Sequence, residues 1–310
     1  MLPKIGPQNF QSIKHHNANS HHIQLSYQRG TPVKITASNQ ETKASVHTSD
    51  KGLLSNEANG NASLLCMKHI SKQFFGSYAL NNIDFEVRSG EVHALFGGNG
   101  VGKSTLIQII AGDIQPSSGK IILNQEEIKI RSVYHARELG ISAVFQESSL
   151  IPELSVEANL FLGSEERSIG PFLNKRNLHK RANNTLKKLG FELDPEQLVM
   201  HLSRAEQQMV EIAKAFRTKP SIMILDEPTA SLTEHETNQL FSMIDFLKNE
   251  GIAVIYITHK IPEIYKICDR VTILRDSKRI LTQPVSDISE QSLVETAVGS
   301  RIDELFPYNY

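Results

Sequence analysis

A glycine-rich segment of this chain has the residue types and the spacing of a phosphate-binding loop. The segment fits G-x-x-x-x-G-K-[ST] and consists of Gly97, Gly98, Asn99, Gly100, Val101, Gly102, Lys103, Ser104 and Thr105. Glycines let backbone N–H groups turn inward on phosphate oxygens, and a lysine after them can pair with the β- and γ-phosphates of a nucleotide. The serine that follows can ligate Mg²⁺. This segment, called the phosphate loop below, therefore predicts binding of a nucleoside triphosphate together with Mg²⁺.

The elements predicted on either side of the phosphate loop are those that such a loop requires. The apolar run Val92–Phe96 predicts a strand before it, and the run Leu106–Ala111 predicts a helix after it. A glycine-rich turn with a chance Lys-Ser would lack this context. We therefore interpret the chain as a P-loop NTPase.

A second candidate site is a pair of carboxylates at the end of an apolar run. Ile222–Leu225 predicts a strand buried on both faces, and Asp226 and Glu227 follow it directly. Asp226 can hold the Mg²⁺ shell, and Glu227 can act as general base towards the attacking water. Open α/β folds bind ligands at the carboxyl ends of parallel strands, where both residues are predicted to lie. An ordinary acidic helix cap is the alternative interpretation of this pair.

A short segment before a predicted helix resembles the signature loop of the ABC ATPases. The segment is Leu202-Ser203-Arg204-Ala205-Glu206. The resemblance implies that Ser203 of one subunit, with backbone N–H groups and a helix N-terminus, caps the γ-phosphate held by the phosphate loop of another. Ala205 stands where most members have a second glycine, which restricts the backbone slightly. Alanine there is similar to what monosaccharide importers often show.

Further elements of the same family follow in the expected order and extend the resemblance over residues 64–310. It implies that Phe74 stacks on adenine, that Gln146 contacts Mg²⁺ and the attacking water, and that His259 contacts the γ-phosphate. The run Ala230–Leu232 resembles the loop that crosses the interface between two such domains. Gln146 or His259 alone would more often be a satisfied polar residue at a strand end. The order of these elements along the chain makes the resemblance specific.

The alternation of apolar strands and amphipathic helices predicts an α/β fold with a largely parallel central sheet. The resemblance implies the ABC ATPase architecture: a RecA-like parallel-sheet core, an antiparallel β subdomain and a helical signature subdomain between Gln146 and Arg217. Residues 1–62, rich in Asn, Ser, Gln, Thr and His, predict a disordered N-terminal extension. We expect residues 63–300 to form the nucleotide-binding domain and residues 301–310 to begin a linker to a second domain absent from this sequence.

The sequences of two motifs resemble those of the branch of the family that imports ribose, galactose and xylose. They are Glu-Gln-Gln-Met-Val-Glu-Ile-Ala-Lys-Ala at residues 206–215 and Asp-Glu-Pro-Thr-Ala-Ser-Leu-Thr at residues 226–233. Gly98 departs from the glutamate usual in that branch and is similar to importers of the sugar-like signal autoinducer-2. Members of the branch usually continue into a second nucleotide-binding domain. A single-domain subunit, a truncated reading frame and one piece of a split pair therefore all stay open.

Composition and charge argue against several other classes of protein. The net charge is -1, which does not indicate nucleic acid as a partner, and the two cysteines, Cys66 and Cys268, are too few for a disulfide framework. No apolar run of about 18 residues could span a bilayer, and no secretory signal begins the chain. The basic residues of the predicted helix within 175–188 are interpreted as a solvated face rather than a nucleic-acid site.

The resemblance implies an ATPase subunit that binds ATP and Mg²⁺ and energises import of a monosaccharide or sugar-like molecule. Its partners would be an integral membrane permease, a second nucleotide-binding domain in a homo- or heterodimer and, indirectly, a periplasmic binding protein. It would act at the cytoplasmic face of the inner membrane. Pro152–Gly163 is expected to contribute to the groove for a permease helix, although Leu160-Phe161-Leu162 could equally be core. Alternatives are autoinducer-2 import, a catalytically incomplete half, and a soluble ABC ATPase acting on ribosomes or DNA.

Overall fold

The computed structural model describes residues 63–146, 148–164 and 174–299. The predicted N-terminal extension (1–62) and the predicted linker (301–310) lie outside the described residues. The strands are β1 Ser63–Phe74, β2 Ser77–Arg88, β3 Val92–Phe96, β4 Ser118–Leu123, β5 Glu126–Ile128, β6 Ile141–Val144, β7 Ile222–Asp226, β8 Ala253–Ile257, β9 Arg270–Arg275 and β10 Lys278–Pro284. The α-helices are α1 Lys103–Ile110, α2 Val133–Glu138, α3 Val156–Phe161, α4 Lys175–Lys188, α5 Arg204–Phe216, α6 Glu234–Asn249, α7 Ile261–Ile267 and α8 Glu290–Val298.

The core is a six-stranded sheet in the order β10-β9-β3-β8-β7-β6. Strands β9, β3, β8, β7 and β6 run parallel, and β10 pairs antiparallel with β9 at one edge. Every residue of β3 and β8 is buried, as expected for continuous apolar runs covered on both faces. The predicted parallel sheet is confirmed, and β3 has the predicted bounds.

The helix after the phosphate loop begins at Lys103, three residues earlier than the apolar run Leu106–Ala111 predicted, because Gly102 is its N-cap.

A four-stranded antiparallel sheet, in the order β2-β1-β4-β5, lies against one face of the core sheet. One apolar cluster joins β1, β2 and α1 to alternate residues of the core strands, such as Ile222 and Ile224 of β7. Met223 and Leu225, which alternate with them along the strand, belong to a cluster on the opposite face. Side chains of a strand point alternately to its two faces, so β7 and β8 separate two layers. The predicted antiparallel β subdomain is therefore present.

The opposite face of the core sheet is covered by helices, including the predicted helical subdomain. Its cluster contains residues of α3, α4, α5 and α6 together with those of β7 and β8. Helix α4 ends as predicted before Gly190, whose φ is +71°. Leu160 and Phe161 are each 1% exposed, whereas Leu162 is 43% exposed. The core interpretation of this run is thus correct for its first two residues.

The remaining helices complete the layers around the core sheet. Thr233 caps α6 with the predicted capping box, in which Glu236 bonds back to the Thr233 backbone. Helices α7 and α8 pack with β3 and β9 in a third apolar cluster. Among the helices in the described ranges, none combines the length and the apolar character needed to cross a membrane.

Candidate nucleotide-binding site

The phosphate loop joins the end of β3 to the start of α1, and unusual backbone conformations shape it. Gly97, Gly100 and Gly102 have φ values of +151°, +76° and +107°, which residues with a Cβ rarely adopt. A Cβ on Gly102 would also collide with the carbonyl oxygen of Ala79. A Cβ on Gly98 would meet only an ordinary van der Waals contact at 3.8 Å. The backbone therefore requires glycine at three positions of the loop but not at Gly98.

The first turn of α1 is arranged for an anion. Its N-cap is Gly102, no side chain caps its N–H groups, and it contains no acidic residue. Uncapped N–H groups and the positive end of the helix dipole favour phosphate binding. Ser104 lies exposed in the same turn, where its hydroxyl can reach a metal or a phosphate. This geometry agrees with the predicted phosphate site.

Lys103 lies buried at the phosphate loop. Its Nζ donates hydrogen bonds to the carbonyl oxygens of Gly97 and Gly98, at 2.8 and 2.7 Å. Burial lowers the pKa of Lys103 below its ordinary value, and the carboxylates of Glu227 and Asp226 oppose that shift. The lysine thus lies between the loop and the acidic residues, a position from which it can pair with phosphate oxygens.

Asp226 ends β7 and Glu227 follows it, so both carboxylates lie at the carboxyl end of the core sheet. Glu227 has a φ of +49°, an uncommon conformation for a residue with a long side chain. Burial, and after it the charge of Glu227, raises the pKa of Asp226, while the Lys103 ammonium opposes this rise. Half-buried neighbouring carboxylates are costly unless a cation joins them. The pair is therefore suited to a metal ion bound with a nucleotide.

His259 lies directly beside this pair. It follows β8, which is the neighbour of β7 in the sheet, so the two strand ends lie side by side. His259 Nε2 is 2.8 Å from Glu227 Oε1, and the Glu227 N–H donates to the carbonyl oxygen of Ile257 at 2.9 Å. The structure thus brings two predicted catalytic residues into contact. We call Asp226, Glu227 and His259 the strand-end cluster.

A cleft of about 260 Å³ adjoins the strand-end cluster and contains several other predicted residues. Gln146, the second residue after β6, lines this cleft together with Asp226 and Glu227. The predicted interface loop Ala230–Leu232 lines it too, as do Arg204, Gln207 and Gln208 of α5. Ser203 and Phe74 are not among the described residues that line this cleft. The predicted site is therefore partly assembled within one chain.

The signature segment begins α5. Ser203 is its N-cap: its hydroxyl accepts from the Glu206 N–H at 3.2 Å, and the Glu206 carboxylate accepts from the Ser203 N–H at 2.7 Å. Leu202 and Ala205 are buried, whereas Ser203 and Arg204 are exposed. The Ala205 methyl group is buried in the first turn of α5, at the position where the resemblance would place a glycine. The predicted role of Ser203 in a second molecule's site stays a prediction.

Phe74 lies at the end of β1 and is 43% exposed. The Lys72 ammonium lies 5.0 Å from the centroid of its ring, within the range of a cation–π interaction. An exposed aromatic face at a strand end can stack on a base, which is the role predicted for this residue.

The residues predicted to hold Mg²⁺ offer the oxygen donors that this ion prefers. Asp226 supplies a carboxylate, Ser104 a hydroxyl and Gln146 an amide oxygen. Within the described parts of the chain, no group of three or more His, Cys, Asp or Glu side chains is placed to hold a metal ion. An ion at this site would need phosphate oxygens and water as further ligands, which is the usual pattern for Mg²⁺ with nucleotides. The residues present therefore fit Mg²⁺ brought in with a nucleotide.

Two buried carboxylates beside the site were not identified from the sequence. Glu211 of α5 accepts from the hydroxyls of Ser148 and Ser149, at 3.1 and 3.0 Å, just after Gln146. Glu263 of α7 is 7% exposed and accepts hydrogen bonds beside the strand-end cluster. Each carboxylate interrupts the apolar face of an amphipathic helix, and a charge in such a place needs partners. That interruption was the available sequence signal.

The lysine and arginine residues of α4 are exposed, except for Arg181, which is half-buried. Arg181 lies over the ring of Phe161, with its guanidinium carbon 4.4 Å from the ring centroid. Its charged head therefore covers an apolar core residue, as long basic side chains often do at surfaces. The interpretation of the α4 cluster as a solvated face rather than a nucleic-acid site stays a prediction.

Comparison with known proteins places this architecture in a family. Residues 80–230 match the ABC transporter family. Over 245 residues the chain is 43% identical to the ribose import ATP-binding protein RbsA of Hahella chejuensis, which covers 79% of this chain and 49% of that protein. The chain thus spans about half the length of the curated relatives that it matches.

Solved structures agree with the sequence comparison. The chain is similar to cbiO1 of Clostridium perfringens, part of the ABC transporter complex cbiONQ, at 29% identity and a TM-score of 0.65 over 79% of this chain and 98% of that one. It is also similar to an ATP-binding cassette solved as a dimer in a post-hydrolysis state with ADP and Pi, at 25% identity and a TM-score of 0.61 over 71% of this chain and 98% of that one. We conclude that this chain carries an ATP-binding domain of the ABC transporter family.

Proposed function

We propose that the chain hydrolyses ATP and thereby energises import of a monosaccharide or sugar-like molecule through a separate permease. The contact between Glu227 and His259, at the strand ends beside Lys103, is the observation that carries the ATPase part. The sugar part is supported by the 43% identity to a protein named as a ribose import ATP-binding protein. Mg²⁺, held by Ser104, Gln146 and Asp226, would neutralise charge on the phosphates.

In the proposed reaction the strand-end cluster and the phosphate loop have separate tasks. The N–H groups of the loop and Lys103 bind the phosphates of ATP and hold the terminal phosphate in place. Glu227 accepts a proton from the attacking water, and its carboxylate is oriented by His259 Nε2 at 2.8 Å. A general base must lie within hydrogen-bond reach of the proton that it accepts. The contact with His259 limits the directions in which the Glu227 carboxylate can point. Phe74 stacks on the adenine.

A second copy of the domain, or a related one, completes the site in this proposal. Ser203 is exposed at the N-terminus of α5, where it can cap the terminal phosphate bound by the other domain. The similarity to a dimeric cassette with ADP and Pi supports such an assembly. ATP would then favour the closed dimer over the open one, since a ligand shifts an equilibrium only by its differential affinity for the two states.

We further propose that the closing motion passes to a permease at the cytoplasmic face of the membrane. Gln146 lines the cleft beside the acidic pair. Glu211 of α5 accepts hydrogen bonds from Ser148 and Ser149, which lie shortly after Gln146 in the chain. A movement of α5 relative to the core sheet would therefore reach the segment after Gln146. The exposed Leu162, in the segment Pro152–Gly163, offers apolar surface for a permease helix.

Gly98 supports autoinducer-2 import as a second candidate for the transported molecule. A Cβ at Gly98 would meet its nearest atom only at 3.8 Å, so the space next to the backbone does not require glycine here. Glycine here is thus a choice of sequence rather than a steric necessity. Uptake of labelled ribose and of labelled autoinducer-2 by cells that express the chain with a permease would distinguish the two substrates.

The proposed ATPase is tested by phosphate release at several protein concentrations, with and without Mg²⁺. We expect hydrolysis to need Mg²⁺ and to rise more steeply than linearly with concentration, because two domains form each site. Glu227→Gln should lower turnover about 10²- to 10⁴-fold, the usual contribution of a general base, and should trap an ATP-bound dimer visible by light scattering. Glu234→Gln, an exposed carboxylate of α6, is the matched control and should behave as wild type. Binding of ATP without dimers and without turnover would contradict the proposal.

A further inference from the structure

Glu263 forms a buried hydrogen-bond network behind the strand-end cluster. Its Oε2 accepts from the hydroxyls of Tyr256 and Thr258, both at 2.8 Å, and its Oε1 accepts from the hydroxyl of Thr229 at 2.7 Å. The Lys260 ammonium lies 3.4 Å from Oε1 and also donates to the carbonyl oxygen of Thr229, at 3.0 Å. Tyr256 belongs to β8 and Glu263 to α7. Thr229 lies in the segment after β7, and Thr258 and Lys260 lie in the segment after β8.

The hydroxyls held by Glu263 come from residues beside the two predicted catalytic side chains. Thr258 immediately precedes His259, and Thr229 lies two positions after Glu227. Thr229 also begins the segment that leads into Ala230–Leu232, the predicted interface loop. One carboxylate thus ties together the loop after β7 and the loop after β8. The Glu227–His259 contact, at 2.8 Å, lies between the same two loops.

A hydroxyl can turn to donate or to accept, but an ionised carboxylate only accepts. Glu263 therefore fixes the direction of three hydroxyl hydrogens. Through them it holds the loops after β7 and β8 together beyond the last backbone bond between the two strand ends, from the Glu227 N–H to the Ile257 carbonyl oxygen. A buried charge with four polar partners is a satisfied network, which is rigid because losing any member leaves another group unpaired. The backbone of Glu227, with a φ of +49°, is of the kind that persists only where its surroundings hold it.

We propose that Glu263 is a positioning residue that sets the orientation of Glu227 towards His259 and couples this pair to the interface loop Ala230–Leu232. This inference rests on the proposed ATPase function. Glu263 lies on α7 and does not line the cleft beside the strand-end cluster, so it acts through Thr229 and Thr258. Its loss should lower turnover and leave the binding of ATP by the phosphate loop unchanged.

The variant Glu263→Gln tests this, because glutamine has the same shape but can accept with only one of its two terminal atoms. We expect kcat for ATP hydrolysis to fall about tenfold, since small displacements of reacting groups have effects of this size, while KM for ATP changes less than about twofold. Glu263→Asp keeps the charge but shortens the side chain, and should recover only part of the loss. The ring-nitrogen NMR shifts of His259 should change in Glu263→Gln, a readout that does not need hydrolysis.

Glu91→Gln is the matched control. Glu91 is also a buried carboxylate, 5% exposed, and bonds the buried His93 at 2.8 Å on β3. It directly precedes β3, at the end opposite the phosphate loop. We expect Glu91→Gln to lower thermal stability without a change in kcat, in KM or in the His259 shifts. This separates loss of a buried network in general from loss of the network behind the cluster.

Three outcomes decide the matter. If wild type hydrolyses ATP and Glu263→Gln matches Glu91→Gln in kcat, the inference is wrong and the proposed function stands. If Glu263→Gln raises KM as much as it lowers kcat, Glu263 supports nucleotide binding in general and the positioning role is wrong. If wild type does not hydrolyse ATP, the proposed function fails, and the His259 shifts alone decide whether Glu263 orients the pair: unchanged shifts overturn it.

Discussion

The phosphate loop and the strand-end cluster lie at the same end of the core sheet but are held in different ways. In the loop, the φ values of Gly97, Gly100 and Gly102 and the N-terminus of α1 set the shape. In the cluster, side chains far apart in sequence meet, as Glu227 and His259 do at 2.8 Å. The loop is thus specified by its own residues, whereas the cluster exists only once β7 and β8 are neighbours.

This difference predicts two kinds of failure. A substitution in the loop should act through backbone geometry, so its effect should follow the space and the φ value at each glycine. A substitution in the cluster should leave the fold intact and remove chemistry. Pairs of variants that share one property and differ in the other test this distinction.

The largest effect is expected from Gly102→Ala paired with Gly98→Ala. Gly102 has a φ of +107° and no room for a Cβ, whereas Gly98 has ordinary space. Because such backbone strain costs about 1–3 kcal/mol, Gly102→Ala should weaken ATP binding about 10- to 100-fold. Gly98→Ala should stay within about twofold of wild type, a small effect by the same measure. Calorimetric titration with ATP measures both, and equal losses in the two variants would contradict a backbone-built loop.

An intermediate effect is expected at two capping boxes of the same form. Ser203 caps α5 and Thr233 caps α6, each with a glutamate that bonds back. Replacing either by alanine should destabilise the protein by about 1 kcal/mol, the usual loss for such a cap. Only Ser203→Ala should also lower ATP hydrolysis, by about tenfold, since a hydrogen bond to a charged group contributes about 1.5–3 kcal/mol. Chemical denaturation and phosphate release measure the two losses. Equal activities in the two variants would remove Ser203 from the site.

The smallest effect is a gain in stability. Asp226 and Glu227 are neighbouring carboxylates in a half-buried place. Burial, and after it the charge of Glu227, disfavours the charged form of Asp226 and raises its pKa. Asp226→Asn should therefore raise the Tm of the nucleotide-free protein in EDTA by about 2–4 °C, which corresponds to about 1 kcal/mol for a domain of this size. Asp245→Asn, an exposed position on α6, is the control and should leave Tm unchanged. A lower Tm in Asp226→Asn would show that the acidic pair does not repel.

The local features of the molecule were predictable from the sequence. The phosphate loop, the strand Val92–Phe96 and the capping box of Thr233 depend on residues within a few positions of one another, and the structure has all three. The residues of the strand-end cluster were predicted as individuals, from their order along the chain. Their contact was not, because it depends on which strands become neighbours.

Features held by contacts between distant segments were not predictable. Nothing in the pattern of α7 says that Glu263 receives hydroxyls from Thr229 and Tyr256. The run Leu160-Phe161-Leu162 could be core or surface, since its burial is decided by packing against α4 and α5. A charged residue on an apolar helix face predicts only that partners exist, and the tertiary fold decides which.

In the proposed assembly, each ATP lies between the phosphate loop of one domain and Ser203 of another. Mixing two inactive variants tests it directly. Lys103→Ala removes the phosphate-loop lysine, and Ser203→Asp keeps an N-cap while placing a negative charge against the phosphate. Each alone should hydrolyse almost no ATP, but a mixed dimer has one site with both groups intact. We predict that the equimolar mixture recovers up to roughly a quarter of wild-type hydrolysis, because half of randomly formed dimers are mixed and half of their sites are intact. Activity equal to the sum of the two separate variants would contradict a site shared between two domains.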